Sequence, residues 1–238
     1  MKPRILSQAL HKWLGLLVGI QLLVWTVSGF YMVVVNIDII HGDHLIKTPK
    51  PISGKRISHY SKQLSSLANS HPSATAIEIA QLGDRAVIQV RSSDLVQLFD
   101  AQTGAPLPPL DEAAISALAQ GYYAGTSNIL SPQLLKDNPP SEIGSRALPL
   151  WRVDVDDVWG TSLYISPANG SLVTRRHTLW RVFDFFWMVH IMDYAERENI
   201  NNPLLRVVST LSLALVLSGF WYLYFRLNVR SWTVRSSR

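Results

Sequence analysis

Seven histidines and no cysteine set the chemistry open to this 238-residue chain. Imidazole nitrogen suits iron, zinc and copper, whereas thiolate metal sites and structural disulfides both need cysteine. Four of the histidines have neighbours that give them something to do. His11 opens a stripe with Gly15, Gly19, Leu22, Thr26 and Gly29 if the stretch is helical. Small residues on such a stripe admit close approach, either of another helix or of a flat porphyrin. His41 and His44, in IHGDH around Asp43, offer two ligands to a metal or one to haem. The plain alternative there is a solvated helix end, since Gly42 breaks any common face. His190 ends an apolar face made by Leu179, Phe183 and Phe186, and reads either as a hydrogen-bonded core residue or as a ligand. His59, His71 and His177 stand in polar or loop contexts and carry no expectation.

Other chemistries fall away. Covalent c-type haem attachment needs Cys-x-x-Cys-His, so any haem is held non-covalently. No Walker loop, H-E-x-x-H or nucleophile elbow is present. In DAQTGAP, Asp100 to Pro106, a proline stands where a covalent flavin's acceptor threonine would be. Asp154 and Asp156 alternate along one stretch and read as the wet face of a strand rather than a cation site, with Asp157 beside them.

The elements that must position these histidines begin with Trp13 to Val35, which contains no charged residue and only Gln21 as a strongly polar one. At about 1.5 Å per residue it crosses a hydrocarbon core of about 30 Å. Leu204 to Phe225 is a second such stretch, with Arg206 near its start and Trp221, Tyr222 and Tyr224 crowding its end. The first stretch is too long for a signal-peptide core and reads as an uncleaved anchor. The tail at 1–12 holds Lys2, Arg4 and Lys12, the tail at 226–238 holds Arg226, Arg230, Arg235 and Arg238, and all 17 acids lie between the spans. By the positive-inside rule both tails are cytoplasmic and the central region is extracytoplasmic. The net charge of +5 is then a topology signal and gives no reason to expect a nucleic-acid partner.

Between the spans, 36–56 is expected to carry the first helix on to about Thr48-Pro49 and then form a Pro/Ser/Gly linker. Residues 57–107 read as a helix with Ile57, Tyr60, Leu64 and Leu67 on one face. Three strands follow, at Ala74–Gln81, Arg85–Arg91 and Leu95–Asp100, with Gln89 on the outward side of the second. Residues 111–173 repeat the pattern: a helix over Asp111–Gly121, then strands over Leu148–Asp156 and Ser162–Ser166, with Pro132–Arg146 as an inserted loop. LFDAQTGAPL from Leu98 echoes LYISPANGSL from Leu163, each a strand, a turn with glycine and then a small residue. Residues 178–194 read as an aromatic-rich helix lying in the outer membrane interface. The fold class is therefore α+β: two transmembrane helices flanking a tandem unit of helix plus small antiparallel sheet, twice.

Asp100-Ala101-Gln102-Thr103-Gly104 and the second copy, PLWRVDVDD with TSLYISPANGSLV, resemble the PepSY domain. HKWLGLLVGIQLLVWTVSG from His11, and FFWMVHIMDY followed by LLRVVSTLSLALVLSGFWYLY, are similar to PepSY-associated transmembrane helices. The resemblance covers nearly the whole chain. It implies a bacterial-type inner-membrane protein with a periplasmic PepSY pair, since larger four-span relatives include haem-containing ferric-siderophore reductases. Two functions follow as expectations: a haem-b electron-transfer or reductase-associated subunit serving iron uptake, or a non-catalytic tethered module that binds or regulates a periplasmic protein. A helix from His11 to His41 would hold them about 45 Å apart, so they cannot share a haem. His190 with His41 or His44 is the expected haem-iron pair, and His11 needs a ligand from another membrane subunit or a homodimer partner.

Overall fold

The computed structural model describes residues 3–47, 54–93 and 95–235. These form two units: Met1–Asn36 with Phe183–Arg238, which is helical, and Ile37–Val182, which is α+β.

In the helical unit, α1 (Pro3–Val34) packs along α7 (Pro203–Arg235). Both are long and apolar enough to cross a membrane. Leu17, Ile20, Phe30 and Phe220 point outward uncovered, an arrangement that suits lipid and would cost a water-exposed helix pair dearly. Asn202 caps α7, its Oδ1 accepting the Leu205 N–H at 2.8 Å, and Pro203 fills the first turn, where no N–H is needed. The C-terminal part of α6 (Thr178–Ile191), from Phe183 on, also belongs here.

The first helix ends well short of Thr48-Pro49, against expectation. It stops at Val34, and after Val35 and Asn36 the chain restarts as α2 (Ile37–His41). Gly42, at φ 72°, then turns it into a single 3-10 turn over Asp43–Leu45. The expected linker at Pro49–Gly54 lies almost wholly outside the described residues.

The α+β unit repeats one order of elements. α3 (Gly54–His59) and α4 (Ser61–Ser70) lead into the meander β1 (Ala76–Leu82), β2 (Arg85–Arg91) and β3 (Val96–Asp100). α5 (Glu112–Tyr122), capped by the Asp111 carboxylate on the Ala114 N–H, leads into β4 (Gln133–Leu135), β5 (Leu150–Asp154), β6 (Ser162–Ile165) and β7 (Leu172–Arg176). Both sheets are antiparallel throughout. α4 covers one face of the first sheet through Tyr60, Leu67, Ile88, Val90 and Phe99. The opposite face, with Leu82, Val87 and Leu98, shares one core with α5 and with Val153, Leu163 and Ile165 of the second sheet. β2 is thus covered on both sides. That corrects the outward placement of Gln89, which is 3 % exposed and takes the Asn169 side-chain N–H at 3.4 Å.

The echo is real in backbone terms, displaced by one residue from a start-to-start match. Gly104 N–H donates to the Asp100 carbonyl and Gly170 N–H to the Ser166 carbonyl, at 2.8 and 2.9 Å, so Asp100 corresponds to Ser166. Both glycines have positive φ. In the first turn the Asp100 carboxylate accepts the N–H groups of Gln102 and Thr103, each at 2.9 Å, which accounts for the D-x-x-T-G pattern. The second turn is driven into the first sheet: a Cβ on Gly170 would lie 2.4 Å from Leu82. Two further corrections follow. Pro132–Arg146 is not merely an inserted loop, because it supplies the edge strand β4 and a 3-10 turn at Ser141–Ile143. The second repeat also runs past residue 173, to the end of β7 at Arg176.

Candidate functional site

The helical unit places two of the predicted histidines on matching supports. His190, near the end of α6, has Nδ1 2.8 Å from Ser28 Oγ on α1. The Ser28 hydroxyl also lies 2.8 Å from the Val24 carbonyl, and with its proton assigned there His190 Nδ1–H donates to Ser28. Nε2 then carries the lone pair, and it has no hydrogen-bond partner among the described residues. Trp25 fixes the same turn of α6, its Nε1–H donating to the His190 carbonyl at 2.8 Å. A Cβ on Gly29 would stand 3.9 Å from His190 Cε1, so the ring is not pressed against α1. Phe186 packs on Tyr31 with ring centres 4.9 Å apart, which walls that side with aromatic surface.

His11 repeats the scheme toward the other end of α1. Its Nδ1 is 3.2 Å from the Leu215 carbonyl and 3.1 Å from Ser218 Oγ on α7. A carbonyl can only accept, so Nδ1 is again the protonated nitrogen and Nε2 holds the lone pair. The fit is closer: a Cβ on Gly219 would be 3.0 Å from His11 Cε1, and Tyr222 stacks on the ring at 6.5 Å. Each histidine therefore rests on a Ser-Gly pair of the opposing long helix, Ser28-Gly29 for one and Ser218-Gly219 for the other. Ser28 and His11 are about 25 Å apart along α1 at 1.5 Å per residue, so the two supports are separate sites.

His41 and His44 belong to the α+β unit. His41 is exposed, and its carbonyl accepts from Arg175 Nε at 2.9 Å. The Arg175 guanidinium also pairs with Asp43. His44, exposed, sets its ring edge-on to His177 and Trp159 at 6.1 and 6.2 Å between centres. His177, given no role from sequence, is fully buried. Its Nε2–H donates to the Ile40 carbonyl at 3.0 Å, and its Nδ1 is buried without a partner among the described residues. Burial pushes its pKa down, against the pull of the Ile40 hydrogen bond. Its context, Arg175-Arg176-His177-Thr178, is polar, and no spacing rule marks it; Gly42 is the one hint, since a Cβ there would lie 3.0 Å from the imidazole.

A polar cleft of about 360 Å³ in the α+β unit was not foreseen either. Glu142, from the 3-10 turn, accepts from Arg181 Nε at 2.6 Å and from the Tyr164 hydroxyl at 2.5 Å. Arg181 also donates to Ser162 Oγ and to the Gly160 carbonyl. Arg152 donates through Nε to Asp154, which accepts from Ser162 as well. Burial alone would lift the Glu142 carboxyl, but the bonds from Arg181 and Tyr164 and the nearby cations hold it below its usual range. Burial, then the same Glu142, pushes the Tyr164 phenol well up. The donors and acceptors around Glu142 are spent on one another, so the cluster ties the 3-10 turn, the second sheet and the start of α6 together before it binds anything else. Glu142 sits in the proline-rich segment 139–144, where sequence gives no periodicity to read.

No family model, curated protein or solved structure matches this chain.

Proposed function

We propose that this chain is an inner-membrane protein of PepSY type, a haem-b electron-transfer or reductase-associated subunit, with both tails cytoplasmic and the α+β unit periplasmic. One observation carries the reading: His190 is held at Nδ1 by Ser28 while Nε2 keeps an unengaged lone pair, in an apolar, aromatic setting. That is the arrangement a ligating histidine needs, with its tautomer and ring direction fixed by a second group. The donor set therefore fits a b-type haem, which supplies one-electron transfer when bound. His190 is a ligand in this reading; His11, supported in the same manner by Ser218, takes its second ligand from another membrane subunit or a homodimer partner. Involvement in iron or siderophore reduction rests on the family resemblance.

The test is a reduced-minus-oxidised spectrum of protein purified with haem available, for wild type and His190→Ala. Haem bands lost in His190→Ala support the assignment. Unchanged bands clear His190 and move the role to His11. A wild type without haem bands favours the second reading, a tethered non-catalytic module acting on a periplasmic partner. The polar cleft beside β5 and β6, lined by Arg152, Ser162 and Arg181, is the observation that favours that reading.

A further inference from the structure

Among the described residues, the most exposed large apolar side chain is not on a long helix. Val158 is 94 % exposed at the tip of the β5–β6 connection, followed by Trp159 at 38 %. A valine and a tryptophan at the end of a water-facing hairpin are costly unless something covers them. The tip is held stiffly from behind. Asp157 Oδ1 accepts the N–H groups of Trp159 and Thr161, at 3.2 and 2.9 Å, and Oδ2 accepts the hydroxyls of Thr161 and Tyr123, at 2.7 and 3.1 Å. From the side, Thr178 at the start of α6 gives both its N–H and its hydroxyl to the Trp159 carbonyl, at 2.9 and 2.7 Å. The Asp157 carboxylate is thus turned inward, Val158 points out with the exposed Asp156 beside it, and Trp159 keeps one part exposed while its ring meets His44 and His177.

What lies beside the tip decides what covers it. His44 sets its ring on Trp159, and α2, just before it, buries Ile40 while leaving Ile37 and Ile39 exposed. Only Val35 and Asn36 separate α2 from the end of α1 at Val34, so Ile37 is within about 11 Å of that end whatever path the link takes. If α1 spans a bilayer, α2 is at its surface by covalent necessity, and Trp159 is one ring contact beyond the turn that follows α2. Tryptophan is the side chain most at home in that interface.

We propose that Val158 and Trp159, with Ile37 and Ile39, form a lipid-docking surface that lays the α+β unit on the membrane. The occupant is the headgroup and upper acyl region of the bilayer, and the inference rests on the membrane reading of α1. The chain has no cysteine, so single cysteines can be labelled without background. Val158→Cys, Leu95→Cys at an exposed site in the first sheet's β2–β3 turn, and Phe30→Cys on the outer face of α1 are each labelled with an environment-sensitive fluorophore. The full chain is reconstituted into phosphatidylcholine vesicles with and without spin-labelled phosphatidylcholine. The expected result is quenching at Phe30 and Val158, with Val158 quenched about two-fold or more over Leu95. Quenching at Phe30 with Val158 no different from Leu95 overturns the docking surface and leaves the membrane reading intact. A Val158 label shielded from water yet unquenched by lipid also overturns it, in favour of a protein partner. No quenching at Phe30 removes the membrane reading and the inference together.

Discussion

The two units tie their polar groups down by different means. In the α+β unit two half-buried carboxylates gather several donors each: Asp157 takes four hydrogen bonds, and Glu142 takes Arg181 and Tyr164. In the helical unit single contacts between helices do that work, Ser28 on His190 and Ser218 on His11, and Asp184 pairs with Arg197. Both units leave buried polar atoms without partners among the described residues, Gln21 Nε2 and Ser212 Oγ in the helical unit and Gln89 Nε2, Trp151 Nε1 and His177 Nδ1 in the α+β unit. Each such atom costs free energy in a low-dielectric setting.

The largest effect that would sharpen this contrast is at Glu142. Glu142→Leu strands Arg181 and Tyr164 together, and a loss of about 2–3 kcal/mol is expected in denaturant unfolding of the α+β unit, Arg181 being partly solvated. A loss within 0.5 kcal/mol, roughly what a surface site gives, would show the cluster is not holding the fold. Next comes Gly219→Ala, whose new methyl meets the His11 ring at 3.0 Å; about 1–2 kcal/mol should be lost from α1–α7 packing. Gly29→Ala, with 3.9 Å available, should change little. Equal losses at the two glycines would erase the difference between the histidine supports.

The pH response separates the groups of the α+β unit. His177 has a lowered pKa when folded, so the unfolded chain binds the extra proton first. Its contribution is complete above the unfolded value of about 6.5 and declines as pH falls below it. Glu142 and Asp157 are also lowered, so theirs holds until the pH drops below about 4 and is then lost. Unfolding measured from pH 7.5 downward should show two declines, the upper one missing in His177→Gln. The smallest effect is Gln21→Leu, expected to be neutral or to stabilise by about 1 kcal/mol in detergent, since it removes an unpaired buried amide. A clear loss there would mean that Gln21 has a partner in the assembled protein.

The parts legible in the sequence were those governed by near neighbours. The charge-free runs, the alternation in β1, β2 and β5 and the two turn glycines all follow from residues a few positions apart. The Ser-Gly ends of the two spans were read as a pattern, but that each supports the histidine of another helix emerges only from packing. β4 was missed because three residues are too few to alternate, and β7 because Arg175 and Arg176 resemble a solvated run. His177 and Glu142 were missed because their partners, Ile40 and Arg181, lie 137 and 39 positions away.

The shared core between the two sheets has a consequence for how the α+β unit comes apart. β2 is paired on both edges and covered on both faces, and the Gly170 turn of the second repeat is lodged against Leu82 of the first. Each repeat keeps a smaller cluster of its own, but the largest core is shared, so opening one repeat exposes the other's half of it, and amide exchange at Val87, Ile88 and Val90 should require the whole unit to unfold. The duplication visible in the chain is thus a duplication of pattern without a duplication of stability: residues 57–107 expressed alone should remain an exchanging, unfolded peptide.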